Sequence, residues 1–130
     1  MLTENDICRI AKQVADAYSP LAVGTFGSYG TGIAHSGSDL DLFIIKKGQE
    51  KGPADEHAVR LKLFAVMHTM DIVVLTAESF EESGYDYMSF NWTIAKQARV
   101  YHWDHEADEL IPCLLPANER GRSALGGNVD

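Results

Sequence analysis

Residues 24–45 read GTFGSYGTGIAHSGSDLDLFII, and the reading of this stretch decides how the rest of the chain is organised. An apolar run from Leu21 to Phe26 leads into Gly27-Ser28, and Asp39-Leu40-Asp41 opens a second apolar run that ends at Ile45. Glycine lets a backbone come close to phosphate oxygens, and free N–H groups beside a serine hydroxyl can bind them. Gly27 and Ser28 are therefore the candidate phosphate-binding residues. In a strand, side chains two apart share a face. Asp39 and Asp41 thus present two carboxylates side by side, while Leu40, Leu42 and Ile44 point the other way into a core. Carboxylates this close repel each other unless a cation sits between them, and magnesium favours such oxygen-only sets. Asp71 opens a third apolar run, DIVVL, and becomes a third member of the set if its strand lies beside the second.

The bulk properties fit a single soluble domain. A chain of 130 residues can close one core. Its 45% hydrophobic and 23% charged residues give no ground for disorder. The net charge of −8 argues against general nucleic-acid binding, which needs a basic face, and is compatible with a complementary basic protein partner. Cys8 and Cys113 lie far apart with no CxxC spacing, and read as two reduced thiols. The first twenty residues carry charges throughout, and no apolar run is long enough to span a bilayer, so a cytoplasmic protein is expected.

Working outward, Thr3 caps a helix over 3–18 whose apolar face is Ile7, Ile10, Ala11, Val14 and Ala17/Tyr18, and Ser19-Pro20 stops it. Residues 46–55 read as a polar surface loop, and 55–68 as a helix with Val59, Leu63, Val66 and Met67 inward. Asp71–Leu75 is a central strand, after which Thr76 caps a short helix. A helical pattern covers 85–97 and a last strand 99–103. The domain is expected to span 1–110, with 111–130 a mobile C-terminal tail.

Neither GxxxxGK[ST] nor GxGxxG occurs, which removes the P-loop and the dinucleotide fold. Gly-Ser, ten residues, Asp-x-Asp and a later strand-borne Asp, in that order, resembles the DNA polymerase β-like nucleotidyltransferase superfamily. Within it the chain is similar to the minimal, antitoxin-type nucleotidyltransferases of HEPN/MNT toxin–antitoxin modules. The resemblance implies an α+β fold, a mixed β-sheet flanked by helices. It also implies two Mg2+ ions held by Asp39, Asp41 and Asp71, and ATP as donor with Gly27 and Ser28 on its triphosphate. Asp71 would either take the acceptor proton or complete a metal shell, and the sequence does not choose. The acceptor implied is a hydroxyl on a HEPN-domain toxin, held as a hetero-oligomer. The alternatives are a small-molecule nucleotidyltransferase of the antibiotic-modifying kind and a binding-only antitoxin of weak catalysis. Many relatives carry an arginine where this chain has Gly30-Thr31-Gly32, and Lys46 or Lys47 are the candidates to replace it.

Other residues carry weaker signals. His35 and Ser36 lie between the two motifs and serve equally as nucleotide contacts or as plain loop residues. His102, Asp104 and His105 read as surface residues in preference to a metal site. Tyr85, Tyr87, Phe90 and Trp92 read as a helix packed on the core, with a partner-binding patch as the alternative.

Overall fold

Thr3 closes the start of the first helix with a reciprocal capping box. Its hydroxyl accepts the Asp6 N–H at 3.1 Å, and its own N–H donates to Asp6 Oδ2 at 2.8 Å. The computed structural model describes residues 1–48 and 53–124. Helix α1 runs Glu4–Tyr18 and ends at Ser19, whose left-handed backbone (φ 49°) is followed by Pro20. Ile7, Ile10, Ala11 and Val14 are buried. Ala17 and Tyr18, expected inward, are exposed because the stripe has rotated off the sheet by the last turn.

Strands β1 (Ala22–Phe26), β2 (Leu40–Lys46), β3 (Met70–Thr76) and β4 (Arg99–Trp103) form one sheet in the order β3-β2-β1-β4. β1 pairs antiparallel with both β2 and β4, whereas β2 and β3 are parallel, so the sheet is mixed. The remaining helices are α2 (Gly27–Thr31), α3 (Pro53–Lys62), α4 (Ala77–Ser83), α5 (Phe90–Gln97), α6 (Ala107–Leu110) and α7 (Leu115–Ala124), with a 3₁₀ turn at Pro112–Leu114.

The period-two alternation of β2 divides the core. Leu40, Leu42 and Ile44 pack with Ile72, Val74, α1, Val59 of α3 and Leu63 just after it. Phe43 and Ile45 pack on the opposite face with Phe26, Phe80, Ile94, Ile111 and Leu114. Asp41 has the parity of Phe43, so the carboxylate motif belongs to this second face.

Three expectations about element limits need correction. α3 closes at Lys62, and turns carry the chain to β3, leaving Met67 91% exposed instead of inward. Residues 49–52 of the expected loop lie outside the described residues. The helix expected over 85–97 begins only at Phe90. Ser89 caps it by accepting the Trp92 N–H, and Asp86 Oδ1 accepts the Met88 N–H, so local side-chain bonds outcompete helical periodicity. Finally, 111–120 does not leave the domain as a tail. Ile111 and Leu114 are fully buried, Ala117 nearly so, and α7 lies against β4. Their spacing of three carries the apolar stripe. Residues 125–130 of the expected tail lie outside the described residues.

Candidate active site

Register places the key residues in one row. Phe26 pairs with Asp41 across β1 and β2, and Asp41 pairs with Asp71 across β2 and β3. Because β2 and β3 run parallel, both aspartates stand where their strands begin, at the same edge of the sheet and on the same face. Asp71 is the neighbouring carboxyl that acts most strongly on Asp41. Burial first, then the neighbouring Asp71, then Asp39, hold the Asp41 carboxyl above the usual carboxylate range.

Asp39 arrives from a loop fixed by its own polar groups. The His35 N–H donates to Ser38 Oγ at 3.0 Å, Ser38 N–H returns to the His35 carbonyl at 2.9 Å, and His35 Nδ1 accepts the Gly37 N–H at 3.1 Å. His68 Nε2 reaches the Ser38 carbonyl at 3.0 Å and tethers this loop to the approach to β3. His35 thus has a loop-building role within the chain. Asp39 itself is exposed. Among the described residues no three His, Cys, Asp or Glu side chains converge closely enough to form a ready metal cage. The assembled part of the set is Asp41 with Asp71, and Asp39 stands two residues earlier.

Gly27 meets this pair directly. Its φ is +65°, and a Cβ there would stand 2.2 Å from Asp41 Oδ2. Both the backbone and the space therefore demand glycine. The turn then closes as α2, with Gly32 at φ 85° as its C-cap and the Thr31 hydroxyl donating to the Gly27 carbonyl at 3.1 Å. Ser28 is half-buried on this helix.

Gln97, which no local motif marks, fixes the turn from outside. Its side-chain oxygen accepts the Gly27 N–H at 3.0 Å. Its backbone carbonyl would lie 2.2 Å from a Cβ at Gly30. The contact spans 70 positions of sequence. Only the helical pattern ending at 97 hinted that α5 finishes near the glycines.

The other singled-out residues fall elsewhere. Lys46 lies five residues beyond Asp41 on β2, about 17 Å at the usual ~3.3 Å rise per residue, and pairs with Asp55 at 3.0 Å. Lys47 pairs with Asp104 at 3.3 Å and Glu106 at 3.0 Å. Neither lysine can stand in for the missing arginine, because both belong to the opposite edge of the sheet. His102 Nε2 faces the Pro20 carbonyl, and His105 is almost fully exposed, so the H-W-D-H run makes no metal site.

A mixed sheet with carboxylates opening two adjacent parallel strands, beside a glycine turn, is the frame of a nucleotidyl-transfer domain. Residues 7–105 match the family described as Nucleotidyltransferase domain, and the chain belongs to that family. No curated protein matches it at a significant level. Among solved structures, a toxin–antitoxin crystal structure with AMP-PNP is 18% identical at a TM-score of 0.58, over 96% of this chain and 91% of that one. A mutant of the toxin–antitoxin MntA-HpeT is 15% identical at 0.56, over 96% and 91%. The Shewanella oneidensis complex of a tri-AMPylated HEPN toxin with its MNT antitoxin is 15% identical at 0.51, over 91% and 85%. At these identities the likeness is one of fold.

Among the described residues, no helix is long and apolar enough to cross a membrane.

Proposed function

We propose that this chain transfers AMP from ATP to a hydroxyl of a partner protein, a HEPN-domain toxin, breaking the bond between the α- and β-phosphates and releasing pyrophosphate, and thereby acts as its antitoxin. The observation that carries the reading is the in-register meeting of Asp41 and Asp71 against the Gly27 turn, in a chain of this family. The toxin–antitoxin character of the similar structures supports the choice of partner, and AMP-PNP in one of them supports the choice of donor.

The donor set fits magnesium. It is oxygen-only, and Asp41 is held above its usual range by burial and then by Asp71 and Asp39, whose charge a cation would offset. Asp41 and Asp71 would hold the ions, with Asp39 completing the set once its exposed side chain turns toward them. When bound, such ions neutralise the triphosphate and make an acceptor hydroxyl easier to deprotonate. The residues do the rest. Gly27 brings backbone against Asp41 without a side chain to block the donor. Its N–H is already held by Gln97, so phosphate contact from the Gly27-Ser28 pair falls to Ser28. Asp71, exposed at the mouth, takes the acceptor proton on its carboxylate or stays a ligand.

A binding-only antitoxin is the second reading, favoured by the distance of Lys46 and Lys47 from the site. Incubation with labelled ATP, magnesium and a HEPN-domain protein from the same genome separates the two. The proposal expects label on the HEPN protein, lost in Asp41→Asn. A stable unlabelled complex with the wild-type chain would sink transfer and leave the second reading.

A further inference from the structure

The turn between α4 and α5 is held by a network of side-chain hydrogen bonds. Ser89 Oγ donates to the Ser83 carbonyl at 2.6 Å, and Asn91 Nδ2 donates to Ser83 Oγ at 2.7 Å. The Ser89 N–H donates to the Asp86 carbonyl at 2.8 Å, and the Met88 N–H to Asp86 Oδ1 at 3.0 Å. These bonds hold the backbone in a shape that turns its apolar side chains outward. Tyr87 is 71% exposed, Met88 77% and Phe90 55%. A sequence that helical periodicity would have packed inward is instead displayed to solvent on a fixed frame.

The display adjoins the candidate active site. The Phe90 ring stands edge-on to Phe26 with centroids 5.7 Å apart, and Phe26 in turn contacts Phe43 of the core at 6.4 Å. Phe26 is the residue before Gly27 and the register partner of Asp41. Phe90 is thus held by a row of rings running from the core to the edge of the site. The exposed charge of α4 and of the turn is acidic, and the first cation along the chain after it is Lys96, 5.5 Å from the Trp92 ring. From Leu63 to Ala95 there is no lysine or arginine, while Glu78, Glu82 and Asp86 are exposed. An exposed aromatic and methionine surface next to the carboxylates of α4 and Asp86 is complementary to an apolar segment flanked by basic side chains.

We propose that Tyr87, Met88 and Phe90 form the docking face for a basic, apolar segment of the acceptor protein, placing its hydroxyl beside Asp41 and Asp71. The acceptor role rests on the transferase reading above; the surface and its charge preference do not. Fixed geometry suits such a face, because a preordered turn loses little freedom on binding. Rings beside a nucleotidyl-transfer site could alternatively stack on the donor's base, and the test includes that outcome.

The experiment uses the full chain labelled with ¹³C-methyl methionine, titrated with a short peptide of Leu, Tyr and Arg and with its counterpart carrying Glu for Arg. The Met88 methyl should respond to the arginine peptide with an affinity about tenfold above that for the glutamate peptide. The Met67 methyl, more exposed still on the loop before β3, should not move. Tyr87→Ser should lose the response while keeping the rise in Tm that magnesium with ATP produces in the wild type. Equal response to both peptides, an equal response at Met67, or no response overturns the proposal. So does loss of the ATP effect in Tyr87→Ser, which would assign the face to the nucleotide base. If wild type shows no ATP effect, the transferase reading fails by itself, and the peptide titration still decides the surface.

Discussion

Gly27 lies so close to Asp41 that a single added carbon would stand 2.2 Å from the carboxylate oxygen Oδ2. The same residue has φ +65°, where an L side chain costs about 1–2 kcal/mol. Gly27→Ala should therefore strain the turn and push the Asp41 carboxylate off its place beside Asp71. A urea titration should show destabilisation of about 1–2 kcal/mol from the backbone alone. The Tm rise given by magnesium with ATP should vanish. A variant as stable as wild type that still responds to ATP would contradict the contact.

Asp41 carries a pH dependence whose sign can be worked out. Burial, Asp71 and Asp39 raise its pKa above the unfolded value. A raised pKa means the folded state holds the proton more tightly, so the stabilisation is complete below the unfolded carboxylate range and is lost as pH rises through the folded pKa. Metal-free protein at neutral pH is then on the unfavourable side. Asp41→Asn, which keeps the shape without the charge, should raise the metal-free Tm at pH 7 by a few degrees and flatten its slope between pH 4 and 7. It should also abolish the magnesium–ATP response. A fall in metal-free Tm would show that the charge is compensated by something else.

Gln97 holds the glycine turn through one side-chain oxygen. Gln97→Met preserves length but leaves the half-buried Gly27 N–H without an acceptor, a loss of about 1–3 kcal/mol. Gln97→Glu restores the acceptor and adds a negative charge near the expected triphosphate. Met should lower stability and weaken ATP binding. Glu should recover stability while still raising KM for ATP, with kcat changed less. A purely structural residue would show full recovery of both by Glu.

The legible parts of this protein were those written in short-range pattern. The strands announced themselves as apolar runs, and the alternation Asp39-Leu40-Asp41-Leu42 told which side chains face together. Asp71 could be singled out because a carboxylate opening an apolar run is conspicuous. Its parallel register with Asp41 depends on the whole connection through α3, which no local spacing encodes. Gln97 was illegible for the same reason, as its partner is 70 residues away. Residues 85–89 depart from the helical hydrophobic period because Ser89 and Asp86 supply competing caps. Lys46 and Lys47 were near the motif in sequence, but a strand carries its residues away at the full rise per residue.

The alkaline limit of stability should come from two groups outside the carboxylate site, Cys113 on the Phe43 face of the sheet and Tyr101 on the opposite face. Burial and a bond to Glu81 push the Cys113 thiol well up, and burial with the Glu4 bond does the same for the Tyr101 hydroxyl. Both pKa values are raised in the folded state, so their contributions are present below the unfolded values of 9.0 and 10.0 and are lost above them. Tm should fall steeply above about pH 9, and Tyr101→Phe should make that fall shallower. Cys113 should also resist alkylation at pH 8, since the thiolate is the reactive form. Rapid labelling of Cys113 in the native protein would contradict its burial.

The C-terminal helices give the sharpest contrast between composition and structure. Gly, Asn, Arg and Ser after Pro112 read as a chain leaving the domain, yet Ile111 and Leu114 are fully buried against the face that carries Phe43, Phe80 and Ile94. This is also the face that positions Asp41, so the segment supports the site from beneath. Leu114→Ala should cost about 2–5 kcal/mol, as for other large-to-small core changes. Truncation after Leu110 removes both side chains and exposes their partners, and should leave a chain that fails to unfold cooperatively on heating. A truncated protein with wild-type Tm and an intact response to magnesium and ATP would return residues 111–120 to the status of a tail.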